Sequence, residues 1–285
     1  SEQFVTLDAT TLRSLEIERT LRDGARSGSL LAAVDRTASP MGARLLRQWL
    51  CYPLRDTRGI LRRQELVAAL REARRPRDAL RLALREIGDI ERVAGRLGVQ
   101  RTHPRELRGL GEALGRLPPL RAALRELGVP AALDLADGME GLDGLAQRLC
   151  EALRPDAPAR LREGDIFADG YHAELDRLRG LGLDGQRWLV EFQAREAERT
   201  GIPSLKVAYN KVFGYYIEVT NAQQARVPGD YVRRQTVKNA ERYVTDELKR
   251  HESEVLSARA RAVDLEHELF TALRTEVAAA IPDLQ

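Results

Sequence analysis

Two hydrophobic rhythms alternate along this chain, and the point where one replaces the other divides it. Over the first 160 residues, apolar side chains recur every three to four positions between short breaks, the rhythm of amphipathic helices. Ser39-Pro40 makes a helix entrance, with Ser39 as N-cap and Pro40 at the first helical position. Leu45, Leu46, Trp49 and Leu50 then repeat at helical spacing until Pro53. Asp56-Thr57 opens a second helix whose apolar face would hold Ile60, Leu61, Leu66, Val67 and Leu70. Further helices are predicted at about 76–98, 104–116, 119–127 and 141–154. Pro118-Pro119, Gly128-Val129-Pro130 and Pro155 to Pro158 punctuate them.

Two longer helical runs follow. From Tyr171 to Thr200 the apolar side carries Leu175, Leu178, Trp188, Leu189 and Phe192, and Gly201-Ile202-Pro203 is a sound stop. Gly180, Gly182 and Gly185 predict a softened or bent helix. From Thr245 to Ile281 there is neither Gly nor Pro. Leu248, Val255, Ala262 and Leu269 recur every seven residues, and beside them Leu256, Val263, Phe270 and Val277. About 37 residues rising ~1.5 Å each give a rod on the order of 55 Å. Asp246 and Glu247 sit in its first turn, where acidic groups suit the helix dipole. Two adjacent stripes, with Glu252, Arg259 and Glu266 one turn on from the first, fit a helix in a packed bundle better than a two-helix zipper.

Between these rods, over 204–243, the period falls to two. Leu205, Val207 and Tyr209 point one way and Lys206, Ala208 and Asn210 the other; Tyr215, Ile217 and Val219 alternate with Tyr216, Glu218 and Thr220. Asn210-Lys211-Val212-Phe213-Gly214 reads as a hairpin loop, and Tyr231 to Val237 as another short strand after Pro228-Gly229-Asp230. The expected fold is therefore mainly α, a helical bundle with long helices and a small β module inserted between them.

Composition sharpens this picture only locally. The charged share is 31% and the aromatic share 5%, a mix that favours salt-bridged helices. The net charge of +3 announces no nucleic-acid partner by itself. Its distribution does more: 204–240 holds six basic residues (Lys206, Lys211, Arg226, Arg233, Arg234, Lys238) against Glu218 and Asp230. That segment is thus +4, and the rest of the chain −1. All four lysines, Lys206, Lys211, Lys238 and Lys249, lie in or just beyond it. Cys51 and Cys150 are far apart and lack metal spacing, as buried thiols of a reduced cytosolic protein would be. No apolar run approaches a membrane span, and Ser1-Glu2-Gln3-Phe4 carries neither a signal peptide nor an initiator Met. Those features point to the cytoplasm and to a piece of a longer chain.

Lys, Arg, Asn, Gln and Thr on one small module suit phosphate contacts, which fix position on a duplex without reading bases. The same residues equally suit a solvated sheet edge guarded by charge, and composition leaves both open. Tyr209, Phe213, Tyr215, Tyr216 and Tyr231 fall mostly at inward positions and read as the module's core rather than base-stacking platforms. No Ser/His/Asp grouping and no metal set is visible, and His103 before Pro104 reads as a helix-boundary residue.

The strings Leu205 to Val219 (LKVAYNKVFGYYIEV) and Tyr231 to Tyr243 (YVRRQTVKNAERY) resemble the clamp signature of the MutS family. Leu7 to Ile17 (LDATTLRSLEI), Ser39 to Leu50 (SPMGARLLRQWL) and Gly88 to Arg92 (GDIER) resemble its core domain. The likeness covers nearly the whole chain and is closest to the bacterial mismatch-repair branch. It implies a helical core and lever at 1–165, a clamp with entry helix and β module at 166–250, and a returning lever at 251–285. It also implies backbone contact with duplex DNA through Asn210, Lys211 and Val212 and through Lys238 and Asn239. Lys206, Arg233, Arg234 and Gln235 join that set on physical grounds.

The family implies a homodimer around mismatched DNA and a MutL-type repair partner, with no role at a membrane. ATP and Mg would belong to an ATPase domain outside this chain, which holds no GxxxxGK[ST] and no Gly-Lys pair. The Phe-x-Glu mismatch wedge is absent too. The expectation is a non-enzymatic fragment without cofactor that grips DNA and couples that grip to the ATPase. The alternative is a helical scaffold whose β module binds a protein partner.

Overall fold

The computed structural model describes residues 3–210 and 214–284, apart from the side chains at 183, 184, 186 and 283. It is mainly α-helical with one small antiparallel sheet, and it divides into two compact units, Ser1–Ala159 with Thr271–Gln285, and Arg160–Phe270.

The first unit is built from α1 (Ala9–Ser14), α2 (Leu30–Val34), α3 (Pro40–Cys51), α4 (Thr57–Glu72), α5 (Arg74–Glu86), α6 (Ile90–Gly98), α7 (Pro104–Leu114), α8 (Leu117–Glu126), α9 (Pro130–Asp137) and α10 (Asp143–Ala152). Its starts obey local chemistry. Ser39 accepts from the Gly42 N–H and Asp56 from the Gly59 N–H, so both expected N-caps form. His103 stands at a helix boundary as expected, closing a capping box with Glu106.

Three expectations need correction. The helix read at 76–98 is two, because Asp89 accepts from the Arg92 N–H and caps a new helix while Ile87 turns extended. The Gly128-Val129-Pro130 break opens α9, with Pro130 in its first turn. The apolar stripe of α3 is not core: Leu45 and Trp49 are exposed, and the Arg63 guanidinium lies 3.6 Å over the indole. Burial concentrates instead on Leu97, Leu107, Leu110, Leu114, Leu149 and Leu153. Helices α7 and α10 approach closely at Gly111, where a Cβ would stand 2.7 Å from that of Leu149.

The second unit carries α11 (Ala173–Thr200), the strands β1 (Lys206–Asn210), β2 (Gly214–Thr220), β3 (Val232–Val237) and β4 (Ala240–Val244), and most of α12 (Asp246–Ala278). The sheet order is β1-β2-β4-β3, all antiparallel. Helix α11 runs unbroken through its three glycines. Gly185 serves close approach: a Cβ there would lie 2.6 Å from Val255, and its carbonyl accepts from His251 at 3.1 Å. Gly201, in the left-handed region at φ 65°, ends the helix as expected.

Helix α12 buries Leu248, Ala258, Ala262, Glu266 and Phe270, in steps nearer four than seven-halves, while Leu256 is exposed. A straight helix lets a heptad stripe drift, so the second stripe leaves the core at its start. Glu266, placed on the polar flank by sequence, is 2% exposed and belongs to the interior. It accepts from Arg179 at 2.5 Å and from the Ile166 N–H at 3.0 Å.

Candidate nucleic-acid interface

The β module grows out of the end of α11. After Gly201, Ile202 and Leu205 turn inward, and β1 begins; Gln193 on α11 accepts from the Val207 N–H at 2.7 Å and ties that edge strand down. Ile217, Val219 and Tyr243 form the inner face with Tyr231, packed on Phe192, Trp188 and Leu248. This agrees with the period-two reading of 215–219. Tyr209 is half exposed, its ring 5.0 Å from that of Tyr215. Tyr216, read as outward, is 8% exposed because the Arg242 guanidinium covers its ring at 4.3 Å.

The positions singled out by sequence do not form one cluster. Asn210 closes β1 opposite Gly214, at one end of the sheet; Lys211 and Val212, with Phe213, lie outside the described residues. Lys238 and Asn239 make the two-residue turn between β3 and β4, at the other end, beside the Thr220–Ala240 pair. The length of β2 separates the two ends by about 20 Å. Lys206, opposite Glu218, lies on the far edge strand but toward the Lys238 end. Arg233, Arg234 and Gln235 line the other edge. Arg233 pairs with Tyr243 and Gln235 with Arg242, so Arg234 is the extra residue of a bulge, a device that bends an edge and re-aims a side chain.

Charge is handled unevenly. Arg233 donates to Glu241 at 3.1 Å, and Arg226 to the Gly201 carbonyl at 2.9 Å. Gln235 accepts from Arg242 at 2.9 Å, and Arg242 also reaches Glu218 at 3.0 Å. Lys206, Arg234 and Lys238 are exposed and have no carboxylate partner among the described residues.

Comparison with known proteins identifies the family of this chain. The MutS domain III family matches residues 10–285. The chain is 45% identical over 282 residues to the DNA mismatch repair protein MutS of Symbiobacterium thermophilum, covering 99% of this chain and 32% of that protein. It is 42% identical to the protein of the same name from Salinibacter ruber, over 97% of this chain and 30% of that protein. The Myxococcus xanthus protein is 43% identical over 98% of this chain and 31% of its own length. The chain belongs to the MutS family. It spans about a third of the length of these curated relatives.

In this MutS-family chain the residues that sequence reading missed are mostly acids on the inside. Strand β4 was not predicted, because Ala240 to Val244 (AERYV) does not alternate apolar with polar residues, although all but the half-buried Arg242 are buried. Its Glu241 accepts from the Tyr243 hydroxyl at 2.5 Å, which with Arg233 holds the carboxyl below the ordinary range. Burial, and then that bond, push the Tyr243 phenol up to about 12. On α11, Glu196 is buried and accepts from the Tyr231 hydroxyl at 2.8 Å and from Arg199 at 2.7 Å. Burial and the same carboxylate raise the Tyr231 phenol further. The Glu241–Tyr243 pair, two residues apart, was visible as a signal, but Glu196 and Tyr231 lie 35 residues apart and only the fold brings them together. Among the described residues no group of His, Cys, Asp or Glu is arranged to hold a metal, and no helix is long and apolar enough to cross a membrane. Burial pushes both thiols up; Cys51 is buried and Cys150 half-buried.

Proposed function

We propose that this chain is the core, lever and clamp part of a MutS-type mismatch repair protein whose β module holds duplex DNA by its backbone without reading sequence. The observation that carries this reading is that Lys206, Arg234 and Lys238 are exposed and have no carboxylate partner among the described residues, on a sheet whose other arginines are tied to acids or carbonyls. Lysine and arginine heads neutralise phosphates, and Asn210, Asn239 and Gln235 can hydrogen-bond to phosphate oxygens. Lys211 and Val212 belong to the proposal through their place in the family's clamp string. The two ends of the sheet, about 20 Å apart, would span roughly six base-pair steps.

In this reading α11 and α12 act as levers toward a separate domain that binds ATP and Mg, and this chain itself turns over no nucleotide. The whole protein works as a cytoplasmic homodimer on mismatched DNA with a MutL-type partner. The names of the relatives support the repair role.

Duplex binding titrated at two salt concentrations tests the grip. Affinity should fall steeply with salt, with a slope of about −0.9 per phosphate neutralised. Charge reversal at Lys211 and Lys238 should weaken low-salt binding about tenfold or more. Unchanged binding by that variant would sink the proposal. A protein captured by the module regardless of salt and DNA would favour the scaffold alternative.

A further inference from the structure

The densest positive charge in the chain is not in the β module. Residues 57–86, covering α4 and α5, hold nine arginines against four acids and no aromatic residue. Arg74, Arg81 and Arg85 are seven and four residues apart, which sets them on one face of α5 over about 16 Å. All three are exposed, Arg77 falls on the same face three residues after Arg74, and Arg71 and Arg75 are close by in sequence.

Their pairing is poor. One carboxylate, Asp78, serves both Arg74 at 3.6 Å and Arg77 at 3.5 Å, and Glu126 stands 4.0 Å from Arg75. Arg81 donates to the Arg36 carbonyl, the neighbouring Glu86 is taken by Arg116, and Arg71 and Arg85 have no ion pair among the described residues. Within the stretch Arg62 on α4 does meet Asp134 at 2.8 Å, and outside it guanidiniums of the same unit find close partners: Arg44 meets Asp89 and Glu91 at 2.6 Å, and Arg121 meets Asp143 at 2.8 Å. The side chains of Arg74 and Arg75 are 86% and 90% exposed.

We propose that this face of α5 is a second nucleic-acid backbone contact, separate from the β module. A straight row of like-charged forks matches a regular linear polyanion, because each guanidinium can take a phosphate in two parallel hydrogen bonds. An acidic protein segment fits less well, since the stretch lacks the aromatic anchors on which protein interfaces depend.

The test uses the full chain, a 20-base-pair duplex and the variant R74Q/R81Q/R85Q, whose exposed glutamines keep helix propensity. The slope of log affinity against log salt should become shallower by about 2 to 3. R74K/R81K/R85K should keep most of the slope, which a merely structural role would not predict. K206Q/K238Q, measured beside them, separates the two surfaces. An unchanged slope in the glutamine variant overturns the α5 contact and leaves the β-module proposal standing. Loss in the α5 variant alone would do the reverse. Unchanged duplex binding with lost binding of a polyglutamate peptide would also overturn it, by reassigning the row to an acidic protein.

Discussion

The two units bury different kinds of side chain. In the first, the interior is mostly Leu and Ala, and its buried polar residues among those described are Ser29 and Thr102. In the second, three carboxylates are inside: Glu196, Glu241 and Glu266, each accepting hydrogen bonds from an Arg, a Tyr or a backbone N–H. The bundle can rely on apolar area because each helix brings its own satisfied backbone and a wide apolar face. A four-stranded module between two helices has less such area, so ionised bonds specify its geometry. The difference teaches where each unit should be fragile: one to lost volume, the other to an unpaired charge.

The sharpest way to break the comparison is Glu266→Gln. It removes the buried carboxylate from Arg179, itself largely buried, leaving it only the exposed Asp169 at 3.3 Å, and should cost about 3 kcal/mol. Arg148→Ala, which breaks the half-exposed Arg148–Glu276 pair of the first unit, should cost less than about 1 kcal/mol. Denaturant unfolding followed by tryptophan fluorescence can assign each loss, because Trp49 reports on the first unit and Trp188 on the second. Equal losses would show that buried charge has no special standing in the second unit.

Gly185→Ala and Gly111→Ala probe what the units share. Each pushes a methyl to 2.6–2.7 Å from a neighbouring helix, and overpacking of this kind should cost about 1–3 kcal/mol in both. Urea midpoints of the two variants check this, and a silent Gly185→Ala would mean the helices of the second unit slide apart freely.

The smallest effect at neutral pH is that of Tyr243. Its phenol, raised in the folded chain to about 12 from an ordinary 10, contributes stability that is complete below pH 10. That stability is lost as pH climbs from 10 toward 12, since the unfolded chain then gives up its proton first. Thermal melts across that window should fall in the native chain and fall less in Tyr243→Phe. Identical profiles would mean that burial and the bond to Glu241 do not raise this phenol in the folded chain.

Much of this was legible without coordinates. The caps at Ser39, Asp56 and His103, the stop at Gly201, both long helices and the switch to period two at 204 follow from bonds within a few residues of each other. Such local chemistry is written in adjacent letters. The missed features were the non-local ones. Asp89 stands out only as part of the Gly88 to Arg92 string; its pairing with Arg44, 45 residues earlier on another helix, needs the fold. Strand β4 hides because its partners lie on both sides of it, 20 or more residues back and a few residues before.

The residues by themselves determined that a basic β module interrupts two long helices, because side-chain period and charge are properties of order along the chain. They could not determine which cations remain available. Arg233 and Arg242 look as free on paper as Arg234, yet Glu241, Glu218 and Gln235 claim them across the sheet. Nor could they show that Asn210 and Lys238 stand at opposite ends of that sheet, since strand direction and register fix this. Pairing is a matter of distance in space, and only the folded chain sets those distances.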